Sequence, residues 1–171
     1  DGLASGRMHV VDVHSGRCLG EFELFGQSVS WMAWDERGER VLVTGIGPFV
    51  RVYDGATRAL LLQIEVEGEQ YRDVHWGSFC PGGEQIVTAG FEGLTVWDLA
   101  TRRRTFRVTS ATTRPFDRGA WSEDRRQLAV VLKDGTLRVY ETQTWTETAC
   151  VLWEQRYPSD LVWNRAGDRL A

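Results

Sequence analysis

The chain has 171 residues, 42% hydrophobic and 26% charged, with a formal net charge of −4. That length and composition suit a folded domain with a buried core, and the acidic balance leaves no surplus of cations to neutralise phosphates, which argues against a general nucleic-acid or anionic-membrane binder. No apolar stretch approaches the roughly 20 residues of a membrane helix and no charged-then-apolar leader opens the chain. The three dispersed cysteines, Cys18, Cys80 and Cys150, suit neither a disulfide framework nor a zinc pair. The expected setting is therefore the cytoplasm.

In chain order, the runs MHVVDV (8–13), VRVYDG (50–55), LTVWDL (94–99) and LRVYET (137–142) alternate in polarity and close on an acid. The acids are Asp12, Asp54, Asp98 and Glu141, separated by 42, 44 and 43 residues. A second marker keeps the same period: an aromatic residue followed, seven positions on, by an apolar one, at Trp34 and Val41, Phe79 and Ile86, Trp121 and Leu128, and Trp163 and Leu170. The stretch that ends in LTVWDL shows the unit most clearly. YRDVHWGSF (71–79), IVTAGF (86–91), GLTVWDLA (93–100) and TFRVTS (105–110) read as four short antiparallel strands, with CPGGEQ (80–85) as the first turn. The run Arg102-Arg103-Arg104 reads as a solvated turn, and no helical stripe is found.

The segment IVTAGFEGLTVWDL, preceded by an aromatic residue and the CPGG turn, resembles the WD-repeat pattern, with Val-Tyr-Asp at 52–54, Val-Tyr-Glu at 139–141 and Val-Asp at 11–12 as looser copies. The resemblance runs through the whole chain and implies an all-β fold, a β-propeller built of four-stranded antiparallel blades. It also implies a hydrogen-bonded group of His, Ser or Thr, Asp and Trp in each blade, which these repeats fill only in part. Thr44 and Thr88 take the hydroxyl place, Asp134 the acid and Trp97 the indole, whereas Val131 and Gly47 break the pattern and no His stands in the first place. Blade cohesion is thus expected to rest on aromatic and aliphatic packing.

The repeat arithmetic gives 1–25 as the last two strands of a repeat, 26–67, 68–111 and 112–155 as whole repeats, and 156–171 as the start of another. On this reading the propeller is incomplete at both ends and belongs to a longer chain; pairing of the two end pieces as a fourth blade is the alternative.

Trp34, Phe79, Trp121 and Trp163 recur at one position and are expected in the blade cores. Trp31, Trp76, Trp145 and Trp153 stand outside that series and are the first candidates for a binding surface. The resemblance also implies a face made by the loops that lead into each first strand and those that join second to third strands. By phase this face receives Ser30, His75, Asp117 and Ser159, with Phe91 and Lys133 from the inner loops. His9, His14 and His75 are too scattered to make a metal site, no strained Gly-x-Ser-x-Gly turn presents a nucleophile, and the Gly-containing turns precede no helix that could hold a phosphate. No catalytic residue, metal or cofactor is expected. The leading expectation is a non-catalytic protein–protein interaction scaffold in a signalling or regulatory protein. The alternative is a propeller enzyme, a quinone-dependent dehydrogenase or a hydrolase, with its chemistry outside this stretch.

Overall fold

The computed structural model describes residues 6–24, 28–66, 73–91, 93–109, 116–132, 135–152 and 160–171. It is all-β, with no helix among those residues. Strands β1 (Gly6–Val11) and β2 (Cys18–Leu24) form a two-stranded sheet. Three four-stranded antiparallel meanders follow. The first blade holds β3 (Ser28–Trp34), β4 (Arg40–Ile46), β5 (Phe49–Asp54) and β6 (Leu60–Glu65). The second holds β7 (Val74–Phe79), β8 (Gln85–Gly90), β9 (Gly93–Asp98) and β10 (Arg104–Val108). The third holds β11 (Phe116–Trp121), β12 (Gln127–Leu132), β13 (Thr136–Glu141) and β14 (Thr146–Leu152). These are the four-stranded blades of a β-propeller.

The seven-residue marker is the closing pair of each first hairpin. Trp34 pairs with Val41, Phe79 with Ile86 and Trp121 with Leu128, and an isolated bridge joins Trp163 to Leu170. One turn geometry serves all four. The first turn residue and the residue five on exchange a backbone bond, as Asp35 N–H does with Arg40 O, Cys80 with Gln85, Ser122 with Gln127 and Asn164 with Arg169. The left-handed place in that turn is held by Gly38, Gly83 and Gly167, where φ is near +70°, and by Arg125 at +55° in the third blade.

The second strands read as near-continuous apolar runs, RVLVTGI, QIVTAG and QLAVVL, because neighbouring blades cover both of their faces. Leu42, Val50, Val52 and Ile64 pack against Phe79, Ile86 and Trp97 of the next blade, and Trp76, Val87, Leu94 and Val96 pack against Leu128, Val130 and Tyr140. Each such side chain contributes about 1.5–3 kcal/mol when taken out of water. The last strand of a blade is the outer edge, and all seven residues of β14 are exposed.

The first strands lie innermost and pack on one another, β3 against β7 and β7 against β11. Two residues before the marker aromatic stand Gly77 and Gly119. A Cβ on Gly77 would sit 2.9 Å from the Thr44 methyl, and one on Gly119 would sit 2.8 Å from the Trp76 ring, so close approach of the preceding blade requires glycine there. In the first blade the same position is Met32, 45% exposed, where the described residues of the preceding sheet are the outer pair β1 and β2 alone.

That difference corrects the expectation of four equivalent buried aromatics. Phe79 is 1% exposed and lies beneath the Arg40 guanidinium of the preceding blade, 4.9 Å from its ring centroid. Trp34 is 47% exposed and rests on the Gly55 turn, because no described inner strand supplies a counterpart of Arg40 to cover it. Trp121 and Trp163 are half-buried; the Trp163 indole N–H donates to Ala120 O at 2.9 Å and so ties the last hairpin to the third blade.

The in-phase acids organise the turn between third and fourth strands. Asp12, Asp54, Asp98 and Glu141 each accept from the hydroxyl three residues on, Ser15, Thr57, Thr101 and Thr144, at 2.6 to 2.8 Å. Backbone N–H groups of the same turns add to this. The residue after each hydroxyl is left-handed: Gly16, Arg58, Arg102 and Trp145. Two of these side chains clamp the preceding blade at its rim. Arg58 donates to Leu19 O at 2.8 Å, and Trp145 stacks on Phe106 with centroids 5.5 Å apart.

These turns make stability depend on pH. The Thr101 hydroxyl holds the Asp98 carboxyl below its ordinary value, the Ser15 hydroxyl does so for Asp12, the Thr144 hydroxyl for Glu141, and the Thr57 backbone N–H for Asp54. With folded values lowered, their stabilisation is fully present above the unfolded value of about 4 and is lost as pH falls through the folded ones. Asp98→Ala is expected to lower the urea midpoint at pH 7 and to flatten its decline as the pH falls below the unfolded value of about 4. A midpoint that still falls as steeply in the variant would remove this role from Asp98.

Candidate interaction face

The register places Ser28, Ile46, Phe49 and Glu65 at one end of the first blade, and Trp34, Arg40, Asp54 and Leu60 at the other. The first end is the leading face, where the chain comes into each first strand; the second is the turn face. At the leading face every first strand carries a β-bulge at the same place, between Val29 and Trp31, Val74 and Trp76, and Phe116 and Arg118. The extra residues are Ser30, His75 and Asp117. A bulge bends its strand and re-aims the side chain it carries, so these three positions share a backbone device as well as a phase.

Ser30 is exposed. His75 is half-buried against Phe91 of the adjoining loop, ring centroids 5.4 Å apart. Asp117 is described by its backbone alone, and Ser159, Lys133 and Trp153 lie outside the described residues. One bond ties the loops of this face from blade to blade, Gly47 N–H donating to the Asp73 carboxylate at 2.9 Å, and a second closes the loops of the second blade on each other, Phe91 N–H donating to Asp73 O at 3.3 Å. Of the three residues in these bonds, phase singles out Phe91 alone; Gly47 and Asp73 carry no such signal.

The tryptophans sort differently from expectation. Trp31 and Trp76 do share a phase, three residues before Trp34 and Phe79, and the third blade has Arg118 there. Trp76 is 2% exposed and sits in the core, which removes it from the surface candidates. Trp31 is half-buried, its ring centroid 6.5 Å from that of Trp76. Trp145 is half-buried as the rim clamp on Phe106.

The turn face carries a groove of about 690 Å³ between the first and second blades, lined in part by Asp35, Arg40, Gly83 and Asp98. Three of its acids, Asp35, Glu36 and Asp98, are already engaged. Burial alone would raise the Asp35 carboxyl, but the Arg40 side chain and the N–H groups of Arg40 and Glu39 outweigh it and hold Asp35 ionised. Glu36 pairs with Arg125 of the third blade at 3.3 Å, and Asp98 serves its own turn. The groove is a joint between blades, fastened by Arg40 to Gly83 O at 2.7 Å.

Burial pushes the Cys80 thiol up to about 12, against the pull of the Arg125 charge, so it stays protonated at neutral pH. Among the described residues no three His, Cys, Asp or Glu side chains gather closely enough to hold a metal ion, and no helix is long and apolar enough to cross a membrane.

No protein-family model matches the chain. Over 123 residues, 68% of its length, it is 31% identical to Coronin-7 of Bos taurus. The similarity is to a WD-repeat protein. Together with the four-stranded antiparallel sheets, it agrees with a WD-repeat propeller. The matched stretch amounts to 13% of Coronin-7, so the activity and partners of the whole relative do not transfer with it.

Proposed function

We propose that this chain supplies blades to a non-catalytic propeller that holds protein partners by its leading face, within a cytoplasmic signalling or regulatory protein, with 26–67, 68–111 and 112–155 as its repeats. The observation that carries this reading is the bulge repeated in all three first strands, which brings Ser30, His75 and Asp117 to one place in successive blades. A ring of stiff blades fixes the backbone beneath such loops while their side chains vary freely, which suits recognition. Neither nucleic acid nor membrane fits the acidic balance of the chain.

The test is photo-cross-linking in cells. Benzoylphenylalanine is placed singly at Ser30 and Phe91 on the leading face and at Arg37 on the turn face, and cross-linked proteins are quantified by mass spectrometry. Several-fold more product from the first two positions than from Arg37, with the same protein recovered from both, is the expected result. Equal yields from the two faces, or product from Arg37 alone, would overturn the assignment.

A further inference from the structure

We propose that Arg118 is the charged anchor of the leading face, and that it takes the carboxylate of an Asp or Glu side chain from an extended segment of a protein partner. The proposal rests on the reading that this face binds protein. Its starting point is the position shared by Trp31, Trp76 and Arg118 in successive blades, directly after each bulge. The first two blades fill it with indole packing. The third puts a cation there, half-buried, with its guanidinium carbon 5.1 Å from the ring centroid of Trp31 on the first blade.

Arg118 has no carboxylate within ion-pair distance among the described residues, whereas Arg7, Arg40, Arg125, Arg138 and Arg165 each have one. Two acids of this face are committed to backbone: Asp73 accepts Gly47 N–H, and Asp160 accepts Leu161 N–H at 2.9 Å. Withdrawing a cation from water without a counter-charge is unfavourable, and blade packing at this position is met by an indole twice over, so cohesion does not call for the arginine. A guanidinium laid on an aromatic ring keeps its N–H fork free at the edge, and that fork matches a carboxylate with two parallel bonds. An acidic partner therefore supplies the counter-charge that no described residue gives Arg118.

The test uses fluorescence anisotropy with a fluorescein-labelled Glu-Ser repeat decapeptide and its Gln-Ser counterpart, titrated with the purified chain and with Arg118→Gln and Arg118→Lys. Saturable binding of the Glu peptide is expected, weakened at least about tenfold by Arg118→Gln, less by Arg118→Lys, and absent for the Gln peptide. A fall in wild-type affinity for the Glu peptide with added sodium chloride is also expected, a readout that does not depend on either variant folding. Equal affinity for the two peptides, no binding of the Glu peptide, or binding by folded Arg118→Gln as tight as wild type overturns the anchor. Cross-links from positions 30 and 91 that persist in Arg118→Gln would leave the leading-face reading standing when the anchor falls.

Discussion

Arg40→Ala is expected to lower the unfolding free energy by about 3 kcal/mol, the scale for stranding one partner of a buried ion pair. Asp35 is 6% exposed, and Arg40 Nε lies 2.9 Å from its carboxylate. The same guanidinium covers Phe79 and donates to Gly83 O across the blade boundary, so one truncation opens three contacts. The two N–H groups of Glu39 and Arg40 still reach Asp35, which keeps the loss below the upper end for a buried charge. Arg40→Lys keeps the charge but not the stacked fork and should fall between. Urea unfolding measures all three proteins, and a loss below about 1 kcal/mol in Arg40→Ala would show that the joint between the first two blades lies elsewhere.

One substitution made at equivalent places in neighbouring blades should act with opposite sign. Thr88 is buried, accepts from the Trp97 indole N–H at 3.0 Å and donates to Thr95 O at 3.3 Å. Thr88→Val leaves that indole N–H unsatisfied in the core and is expected to cost about 2 kcal/mol. Thr44 is equally buried, but the residue nine positions on is Tyr53, whose ring offers no N–H there, and the Thr44 hydroxyl has no hydrogen-bond partner among the described residues. Thr44→Val removes an unpaired hydroxyl from an apolar site at nearly constant volume and is expected to stabilise by about 1 kcal/mol. Paired urea titrations decide it. Destabilisation by both, to the same degree, would mean that the hydroxyls act alike and that the indole bond adds nothing.

The contrast shows what the sequence could and could not yield. Trp97 and Thr88 were recognisable as two members of a blade network, and the structure joins those two. The spacing from Trp34 to Val41 and its copies was readable because a hairpin with a fixed turn fixes the distance between its closing pair. The acid at the end of each third strand was legible as a period but not as a turn organiser. The hydroxyl three residues on, Ser15, Thr57, Thr101 and Thr144, was the available signal.

Other features depend on partners that no single repeat reveals. Trp34 and Phe79 hold the same place in their blades, yet their exposure is set by whether the preceding blade supplies an arginine to cover the ring. The bulges were invisible because an extra residue exists only relative to the strand it pairs with. Counting back three residues from Trp34, Phe79 and Trp121 would have brought Trp31, Trp76 and Arg118 into one column, and with them the charge that now marks the leading face.

The chain coheres blade against blade through its inner strands, leaving the outer strands and the leading face open. Residue-resolved hydrogen exchange tests it most directly, since protection follows burial and hydrogen bonding strand by strand. The slowest exchange is expected in β4, β8, β9 and β12, which are buried almost throughout, and the fastest at the free edges of β6 and β14. Protection as strong in β14 as in β12, or uniform across all strands, would contradict the stacked-blade arrangement and, with it, the face built on it.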